Sequence, residues 1–322
     1  MTGRRLWSTG LRPGPDAVSS PTDLVCNFEP EGERMREAMS DMKAEIVGLA
    51  ERVEGPDGES LLILGIAETD ALAVDLSISR REVEIAALEN GVIPRRYQRS
   101  IGTLGTDGQV ALLESVVAVV GLGGLGGVVC ELLARIGVGK LILVDGDVYD
   151  ESNLNRQIHC TEQNTSEAKA EVCRERIGQI NGAVETCHHR CILDKSNARS
   201  ILEPSQVVMD CLDNVPDRFL LQKTCRALGI PLVHGAVAGG MGQVMVVPAD
   251  GEGLERLYGP PDEADRHGVE QSLGNLPTTV ATVAALQCQE LLKIIVGVGT
   301  PIGDEVLFLD LSSGSFDRVE LS

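Results

Sequence analysis

A glycine-rich run in the middle of the chain has the residue types and spacing of a phosphate site. The run Gly121-Leu122-Gly123-Gly124-Leu125-Gly126 directly follows the apolar segment Val116–Val120. Its glycines let the backbone approach a phosphate, and a helix that begins there favours negative charge at its N-terminus. Asp145 follows the next apolar segment, 19 residues after Gly126, where a carboxylate can accept hydrogen bonds from ribose hydroxyls. These residues predict a nucleotide site without separating NAD from ATP.

Charged residues further along the chain separate those two nucleotides. After Asp145 come Asp147, the run Asn153-Leu154-Asn155-Arg156-Gln157, and Lys169. Arg156 and Lys169 beside a ribose-binding carboxylate supply the fixed cations that a triphosphate needs, although either one alone would be an ordinary surface charge. Asp213 and Asn214 follow another apolar segment, and a carboxylate there can hold Mg²⁺ against phosphates. The sequence therefore predicts ATP and Mg²⁺, with Asp213 as the Mg²⁺ ligand.

These residues must be positioned by alternating strands and helices, which the hydrophobic pattern predicts from Val116 onward. We expect an α/β fold, Rossmann-like and ATP-binding, with a mainly parallel sheet that C-terminal antiparallel strands extend. The predicted strands are Val116–Val120, Leu141–Asp145, Val184–His188, Gln206–Cys211, Pro231–His234, Gly242–Val247, Glu305–Asp310 and Ser315–Leu321. The predicted helices are Leu125–Ile136, Glu167–Ile180, Lys195–Leu202, Val215–Leu228 and Thr278–Val296.

The first 93 residues lack this alternation. Residues 1–31 are rich in Pro, Gly and Ser and are predicted to be a flexible leader. Residues 32–93 are predicted to be a helical accessory segment, with helices at Glu33–Val53, Leu61–Ala73 and Ser79–Asn90, and residues 94–322 to be the main domain. The stretch Leu76–Glu84 could also form a DNA-binding helix-turn-helix, but so short a pattern often occurs by chance.

Composition excludes several classes of function. The chain of 322 residues has a formal net charge of −20 and only 2% aromatic residues, so neither DNA nor an anionic membrane is expected as a partner, whereas a basic protein would be suitable. No apolar stretch is expected to span a bilayer, and no signal peptide is evident. Nine scattered cysteines fit a reducing compartment. We expect a cytoplasmic protein.

Taken together, the motifs resemble the MoeB/ThiF/HesA family of adenylyltransferases, which are related to ubiquitin-activating enzymes. The resemblance covers about Arg95 to Leu321 and includes the glycine run, Asp145-Gly146-Asp147, the Asn153–Gln157 run, Lys169, Asp213-Asn214 and Arg96-Tyr97-Gln98-Arg99-Ser100-Ile101. It implies ATP-dependent adenylation of the C-terminal glycine carboxylate of a small ubiquitin-like (β-grasp) sulfur carrier ending in Gly-Gly. The carboxylate attacks the α-phosphorus and pyrophosphate leaves, so positioning and charge neutralisation carry the catalysis.

The resemblance also implies roles for individual residues. Gly124 would contact the nucleotide and Asp145 the ribose, Asn153, Arg156 and Lys169 would hold phosphates, and Asp213 would serve Mg²⁺. Arg99 resembles the arginine that family dimers insert into the neighbouring subunit's ATP site, which implies a two-fold homodimer. The alternative for Arg99 is a local salt bridge.

This sequence departs from the family at its cysteines. Many members bind a structural zinc with two Cys-x-x-Cys pairs, and none occurs here; the near pair in Cys187-His188-His189-Arg190-Cys191 offers too few converging ligands. Alternation along a strand would place Cys187, His189 and Cys191 on one face. We therefore expect no zinc.

The thioester-forming cysteine of other members is also missing. Its loop corresponds to Asp265–Pro277, and no Cys lies between Cys225 and Cys288. Cys160, near the predicted ATP site, is a weak candidate for a reactive thiol. The expected reaction is adenylation without a covalent enzyme intermediate.

Alternatives to this function remain open. The tRNA threonylcarbamoyladenosine dehydratases share the motif found here at Asn155–His159 and also lack the thioester cysteine, but their RNA substrate requires a basic face. A nucleotide-binding regulator without turnover is a further alternative, and a plain NAD dehydrogenase would leave Arg156, Lys169 and Asp213 unexplained. His267 and the glycine-rich run Ala236–Gln243 could meet the carrier tail, or could be a solvated side chain and a strand bend.

Overall fold

The computed structural model describes residues 34–56, 58–251, 253–262 and 270–321. The predicted leader 1–31 and His267 lie outside the described residues. The elements before the main domain are α1 (Arg34–Leu49), β1 (Glu51–Glu54), β2 (Ser60–Leu64), α2 (Ile66–Leu76), α3 (Arg80–Glu89) and β3 (Val92–Pro94). We call residues 34–94 the accessory unit.

The accessory unit contains a small sheet as well as helices. Strand β2 pairs with β1 in antiparallel and with β3 in parallel register. The prediction of a helix over Leu61–Ala73 was therefore wrong for its first residues, and the predicted first helix ends at Leu49 rather than Val53. The physical reason is tertiary: Leu61–Leu64 is a short apolar run between turn residues, and pairing with a strand overrides its helical spacing.

Helix α3 forms as predicted and lies in the middle of its surroundings. The Ser79 hydroxyl accepts a hydrogen bond from Glu82 N while the Glu82 carboxylate accepts one from Ser79 N, a capping box that fixes the start of the helix. Val83 faces the accessory core, and Leu88 faces Tyr97 in a second cluster. Because both sides of α3 are covered, it offers no free face to a DNA groove, and the helix-turn-helix alternative loses its recognition helix.

Within the described residues the main domain contains sixteen further helices and strands. In chain order they are α4 (Ile101–Glu114), β4 (Val116–Val120), α5 (Gly124–Ile136), β5 (Lys140–Val144), α6 (Lys169–Ile180), β6 (Glu185–His189), α7 (Ala198–Leu202), β7 (Val207–Asp210), α8 (Val215–Leu228), β8 (Leu232–Ala238), β9 (Met241–Val247), α9 (Glu255–Tyr258), α10 (Glu270–Leu273), α11 (Pro277–Val296), β10 (Glu305–Asp310) and β11 (Ser315–Glu320). Each strand and helix predicted after Val116 is present, with ends shifted by a few residues at most.

The eight strands of the main domain form one sheet in the order β11-β10-β9-β8-β7-β4-β5-β6. Strands β8, β7, β4, β5 and β6 are parallel, and β9, β10 and β11 extend the sheet in antiparallel register. This confirms the predicted α/β fold class. The carboxyl ends of β4, β5 and β7 meet at one edge, which is where parallel sheets of this kind place ligands.

Helices cover both faces of this sheet. Alternate residues of β4 show the two layers: Val117 and Val119 pack with α5, α6 and α11, while Ala118 and Val120 pack with α7 and α8. Apolar residues on both faces are what a sheet covered on both sides requires.

Helix α11 is long and apolar enough to cross a bilayer by length and composition alone, so the expectation that no segment would meet that criterion was wrong. A core helix of a soluble protein meets the same criterion. Here Val283, Gln287 and Leu291 of α11 are fully buried within the chain, where the helix contacts α5, β8 and β9. The apolar composition of α11 thus serves packing against the sheet.

Candidate active site

A cavity of about 320 Å³ opens at the carboxyl ends of β4, β5 and β7. It brings together ten of the residues that the sequence predicted for a nucleotide site: Gly121, Gly123, Gly124, Asp145, Asp147, Arg156, Gln157, Lys169, Asp213 and Asn214. Gly126, Asn153 and Arg99 do not line it. The strand-end motifs therefore converge on one space, although they are spread over nearly a hundred positions.

Backbone proximity explains the glycines of the turn between β4 and α5. Gly121 has a φ of +87°, and a Cβ there would lie 2.6 Å from the carbonyl oxygen of Cys211. A Cβ on Gly126 would lie 1.8 Å from the carbonyl oxygen of Gly121. Gly126 thus packs the first turn of α5 against the loop instead of facing the cavity. Gly123 and Gly124 expose the N-terminus of α5 to a ligand.

Asp145 is fixed by the two loops that flank it. Its carboxylate accepts hydrogen bonds from Leu122 N at 2.7 Å and from Asp147 N at 2.8 Å. Burial raises the pKa of Asp145, although Lys169 and these two N–H groups oppose that rise. The side chain is therefore held in one orientation beside the glycine turn, as a ribose-binding carboxylate must be.

Lys169 and Asp147 form an ion pair in which the lysine side chain is buried and the aspartate side chain is exposed. The Nζ atom of Lys169 lies 3.0 Å from Oδ2 of Asp147. The Lys169 side chain is 9% exposed, whereas that of Asp147 is 71% exposed. Because the ammonium is confined and the carboxylate is not, an incoming phosphate can take the ammonium while Asp147 turns into solvent.

The residues of the 153–157 run have separate tasks. Arg156 donates to Ser152 O and Asn155 Oδ1, which aims its guanidinium along the cavity wall. Asn153 accepts from Asp150 N at 3.1 Å and completes the capping box of a short 3₁₀ turn whose N-cap is Asp150. Gln157 is buried, and its Oε1 has no hydrogen-bond partner within the described chain, so it has acceptor capacity left for a ligand.

Asp213 stands on the loop between β7 and α8. Asn214 caps α8 by accepting from Asp217 N at 3.0 Å and donating to the Asp217 carboxylate at 2.8 Å. Asp213 and Asp217 both line the cavity. Mg²⁺ commonly takes one or two carboxylates and completes its shell with water and substrate phosphates. No group of three or more His, Cys, Asp or Glu ligands occurs in the described ranges.

Several residues of the cavity were missed at the sequence level, among them Arg218, Asp217, Cys191, Ile192, Asn275 and Val280. Arg218 is the most consequential, because it adds a third cation to the wall. Asn214 predicts the start of the helix that contains Arg218, but the packing of that helix decides which of its side chains face the cavity.

Arg99 lies at a different place. It borders a second cavity of about 410 Å³ with Arg96, Arg135 and the apolar side chains of Leu132, Leu292 and others. This cavity lies between the segment 96–100, which precedes α4, and the helices α5 and α11. Arg99 therefore does not contribute to the nucleotide cavity of its own chain.

Neither Cys160 nor Cys191 is an activated thiol. Burial raises the pKa of Cys160 and of Cys191, the thiol that lines the cavity. Cys187 Sγ lies 3.6 Å from His189 Nε2, so these two side chains share one face of β6 as alternation predicts. A thiol with a raised pKa carries little thiolate and is a weak nucleophile at neutral pH.

A mainly parallel sheet with a glycine turn, a fixed carboxylate and converging cations at one edge defines a nucleotide-binding α/β enzyme. The ThiF family model matches residues 97–322. The chain therefore belongs to the ThiF family, and it is an adenylyltransferase, in agreement with the sequence-based prediction.

Curated relatives support this assignment. The chain is 37% identical over 227 residues to the SAMP-activating enzyme E1 of Haloferax volcanii, covering 70% of this chain and 84% of that protein. It is 32% identical over 291 residues to the adenylyltransferase and sulfurtransferase MOCS3 of Mus musculus, covering 79% of this chain and 63% of that protein. For MOCS3 of Drosophila yakuba the identity is 36%, and the match spans 51% of the relative. The chain thus spans about half to two thirds of the MOCS3 proteins.

Solved structures share the fold. A structure of PaaA matches with a TM-score of 0.59 at 17% identity, covering 85% of this chain and 99% of that chain. A structure of E. coli MccB matches with a TM-score of 0.60 at 19% identity, covering 70% of this chain and 69% of that chain. The PaaA match covers a larger share of this chain than the main domain does, so it extends into the accessory unit.

Proposed function

We propose that this adenylyltransferase uses ATP and Mg²⁺ to adenylate the C-terminal glycine carboxylate of a small ubiquitin-like carrier that ends in Gly-Gly, without an enzyme thioester. The observation that carries the proposal is the cavity in which Asp145, Lys169, Arg156 and Asp213 converge around the glycine turn. The kinship to the SAMP-activating enzyme supports the class of substrate.

The reaction needs position and charge more than it needs a protein nucleophile. Asp145 would hold the ribose, and the N–H groups of the glycine turn would face the phosphates. Lys169, released from Asp147, and Arg156 would bind phosphate oxygens as pyrophosphate leaves. Mg²⁺, held by Asp213 and Asp217, would neutralise charge on the phosphates. The carrier carboxylate then attacks the α-phosphorus and becomes the acyl-adenylate.

The carrier tail would reach the nucleotide past the end of β8. Val237 and Asn275 both line the cavity, and Gly239 N donates to Gly274 O at 2.7 Å, so these two segments frame one side of its mouth. The run Ala236–Gln243 forms the end of the β8–β9 hairpin, whose turn is Gly239-Gly240. Met241, Leu273 and Leu276 are exposed apolar side chains near this mouth, and they offer a surface to the body of the carrier.

The positions of the cysteines support a reaction without a thioester step. The segment 259–276 contains no cysteine, and burial raises the pKa of Cys160. The acyl-adenylate would then pass to a sulfur donor supplied by another protein.

We also propose a two-fold homodimer. Arg99 lies at the second cavity, away from the nucleotide of its own chain, and its apolar, arginine-rimmed surroundings suit contact with a second copy. In such a dimer Arg99 would add a cation to the partner's nucleotide.

ATP–pyrophosphate exchange with Mg²⁺ tests the proposed function. Carriers ending in Gly-Gly are compared with the same carriers shortened by two residues, using wild type, Asp213→Ala, and Asp317→Ala as a control at an exposed carboxylate on β11. We expect exchange only with intact carriers, loss of exchange in Asp213→Ala, and normal exchange in Asp317→Ala. Nucleotide binding without exchange for any carrier would overturn the carrier substrate, and would turn attention to a carboxylate on RNA or to a non-catalytic role.

A further inference from the structure

A polar network that the proposed reaction does not use lies behind Asp213. Five side chains from five elements form it: Asp210 of β7, Arg218 of α8, His234 of β8, Gln243 of β9 and Tyr258 of α9. Asp210 and His234 have no exposed surface. Burying this many polar side chains costs folding free energy unless hydrogen bonds within the protein replace those with water.

The hydroxyl of Tyr258 is the centre of this network. It lies 3.0 Å from Arg218 Nη1, 2.6 Å from Gln243 Nε2 and 3.0 Å from His234 Nε2. A phenol has one proton and two lone pairs, so Arg218 and Gln243 donate to Tyr258 while Tyr258 donates to His234. This requires a neutral His234 whose proton is on Nδ1, where Asp210 accepts it at 2.7 Å. Burial lowers the pKa of His234, which favours that neutral form.

Two side chains of the network, Arg218 and Asp210, bind the backbone of Leu212, the residue before Asp213. Arg218 Nη2 donates to Leu212 O at 2.7 Å, and Leu212 N donates to Asp210 Oδ1 at 3.1 Å. Both backbone polar groups of Leu212 are therefore fixed by buried side chains. Asp213 itself is exposed on its loop, so the direction of its carboxylate depends on how firmly the preceding peptide is held.

We propose that Tyr258 is a positioning residue for the metal site: by fixing Arg218 directly, and Asp210 through His234, it holds the Leu212 peptide and aims Asp213 at the Mg²⁺ that arrives with ATP. The proposal rests on the proposed function in assigning Mg²⁺ to Asp213. Tyr258 touches neither metal nor nucleotide and acts through Arg218 and Asp210.

The decisive variant is Tyr258→Phe, which removes the hydroxyl and keeps the ring. The ring packs edge-on against Phe219, with 6.5 Å between ring centroids, and the Arg218 guanidinium lies 5.7 Å from its centre. Those contacts survive, so the variant should fold. Tyr149→Phe is the matched control, because Tyr149 is also buried and its hydroxyl has no hydrogen-bond partner in the described part of the chain.

The measurement is Mn²⁺ binding by electron paramagnetic resonance, with a non-hydrolysable ATP analogue present. We expect the Mn²⁺ dissociation constant to rise about tenfold in Tyr258→Phe, as is typical when a partner that orients a metal ligand is lost, and to stay unchanged in Tyr149→Phe. Binding of the analogue without metal should match wild type in both. Arg218→Lys should weaken Mn²⁺ binding similarly, and the two defects should be less than additive when combined.

Two results would overturn the proposal. If the Tyr258→Phe variant binds Mn²⁺ as tightly as wild type, Tyr258 does not position the metal site. A lower melting temperature of the variant would then show only a structural role. Absence of nucleotide-dependent Mn²⁺ binding in the wild type would remove the metal site itself. Failure of every carrier in pyrophosphate exchange, with Mn²⁺ binding intact, would overturn the carrier substrate and leave the role of Tyr258 standing.

Discussion

The two walls of the nucleotide cavity are constructed differently. The ribose wall, residues 121–169, is held by contacts within successive strand-end loops, such as Asp145 with Leu122 N and Asp147 N. The Asp213 wall, residues 210–218 together with His234, Gln243 and Tyr258, depends on side chains from five elements. The ribose wall is therefore largely self-contained, whereas a disturbance at β9 or α9 reaches the Asp213 wall directly.

The largest expected effect is on the ribose wall. Lys169→Ala removes a buried cation from the nucleotide cavity, and we expect pyrophosphate exchange to fall about 10²- to 10³-fold, the usual range when one charge-stabilising donor is lost. Lys223→Ala, at an exposed lysine on α8, should retain wild-type exchange. A fall of less than threefold in Lys169→Ala would show that the ribose wall does not hold the phosphates.

The next largest expected effect is a loss of stability caused by crowding of the backbone at Gly126. In Gly126→Ala the new Cβ would meet the backbone oxygen of Gly121, so we expect the free energy of unfolding to fall by about 3 kcal/mol. Gly178→Ala, on α6 with open space around it, should instead raise stability by about 0.5–1 kcal/mol, because alanine favours a helix. Urea unfolding of both variants measures these free energies. Equal changes in the free energy of unfolding for the two variants would contradict the expected effect of crowding at Gly126.

Gln287 is a buried side chain beside the Asp213 wall whose hydrogen bonds can be removed by a substitution to methionine, a residue of similar volume. Gln287 of α11 donates to Asp210 O at 2.9 Å and to Val233 O at 3.2 Å. In Gln287→Met these carbonyls lose a donor, and we expect a loss of about 2 kcal/mol in unfolding free energy. Gln179→Met, at an exposed position, should change stability by less than about 0.5 kcal/mol. Equal values for both would mean that the contacts of Gln287 contribute nothing.

The smallest effect depends on pH and concerns the helices behind the ribose wall. Burial disfavours the charge of Glu131 on α5, but hydrogen bonds from Arg176 and Arg135 outweigh burial and lower the pKa of Glu131 to about 2. A lowered pKa gives stability that is present above about pH 4.5 and is lost as pH falls towards 2. Because Arg135 and Arg176 are 56% and 41% exposed, we expect only about 1–2 kcal/mol.

Chemical denaturation at pH 7 and pH 3 checks this expectation. Glu131→Gln should be less stable than wild type at pH 7, and the difference should shrink at pH 3. Glu175→Gln, at an exposed residue of α6, should show a small difference that does not change. A gap for Glu131→Gln that is constant with pH would assign its effect to packing instead of charge.

The same contrast explains what the sequence could predict. Strands such as Val116–Val120 and helix Val215–Leu228 are bounded as predicted, because apolar runs, glycine turns and caps are local properties. The strand Ser60–Leu64 was missed, because its pairing with Glu51–Glu54 is not visible in its own residues.

At the site, the residues that follow strand ends were predictable, since parallel strands bring such residues to one edge. Arg218 and Tyr258 were not, because helix orientation and side-chain packing between distant elements place them there. The position of Arg99 at a separate cavity could not be predicted either, since it depends on how the segment before α4 packs against α5 and α11.

The burial of α3 has a consequence for the newly made protein. Arg81 of that helix, with a side chain 3% exposed, lies 3.0 Å from Glu185, which is 104 residues further along. At a synthesis rate of roughly 5–20 residues per second, the ribosome needs roughly 5 to 20 s to make the missing partner. During that interval the contact between Arg81 and Glu185 cannot form, so the final docking of the nascent accessory unit must wait for translation of β6.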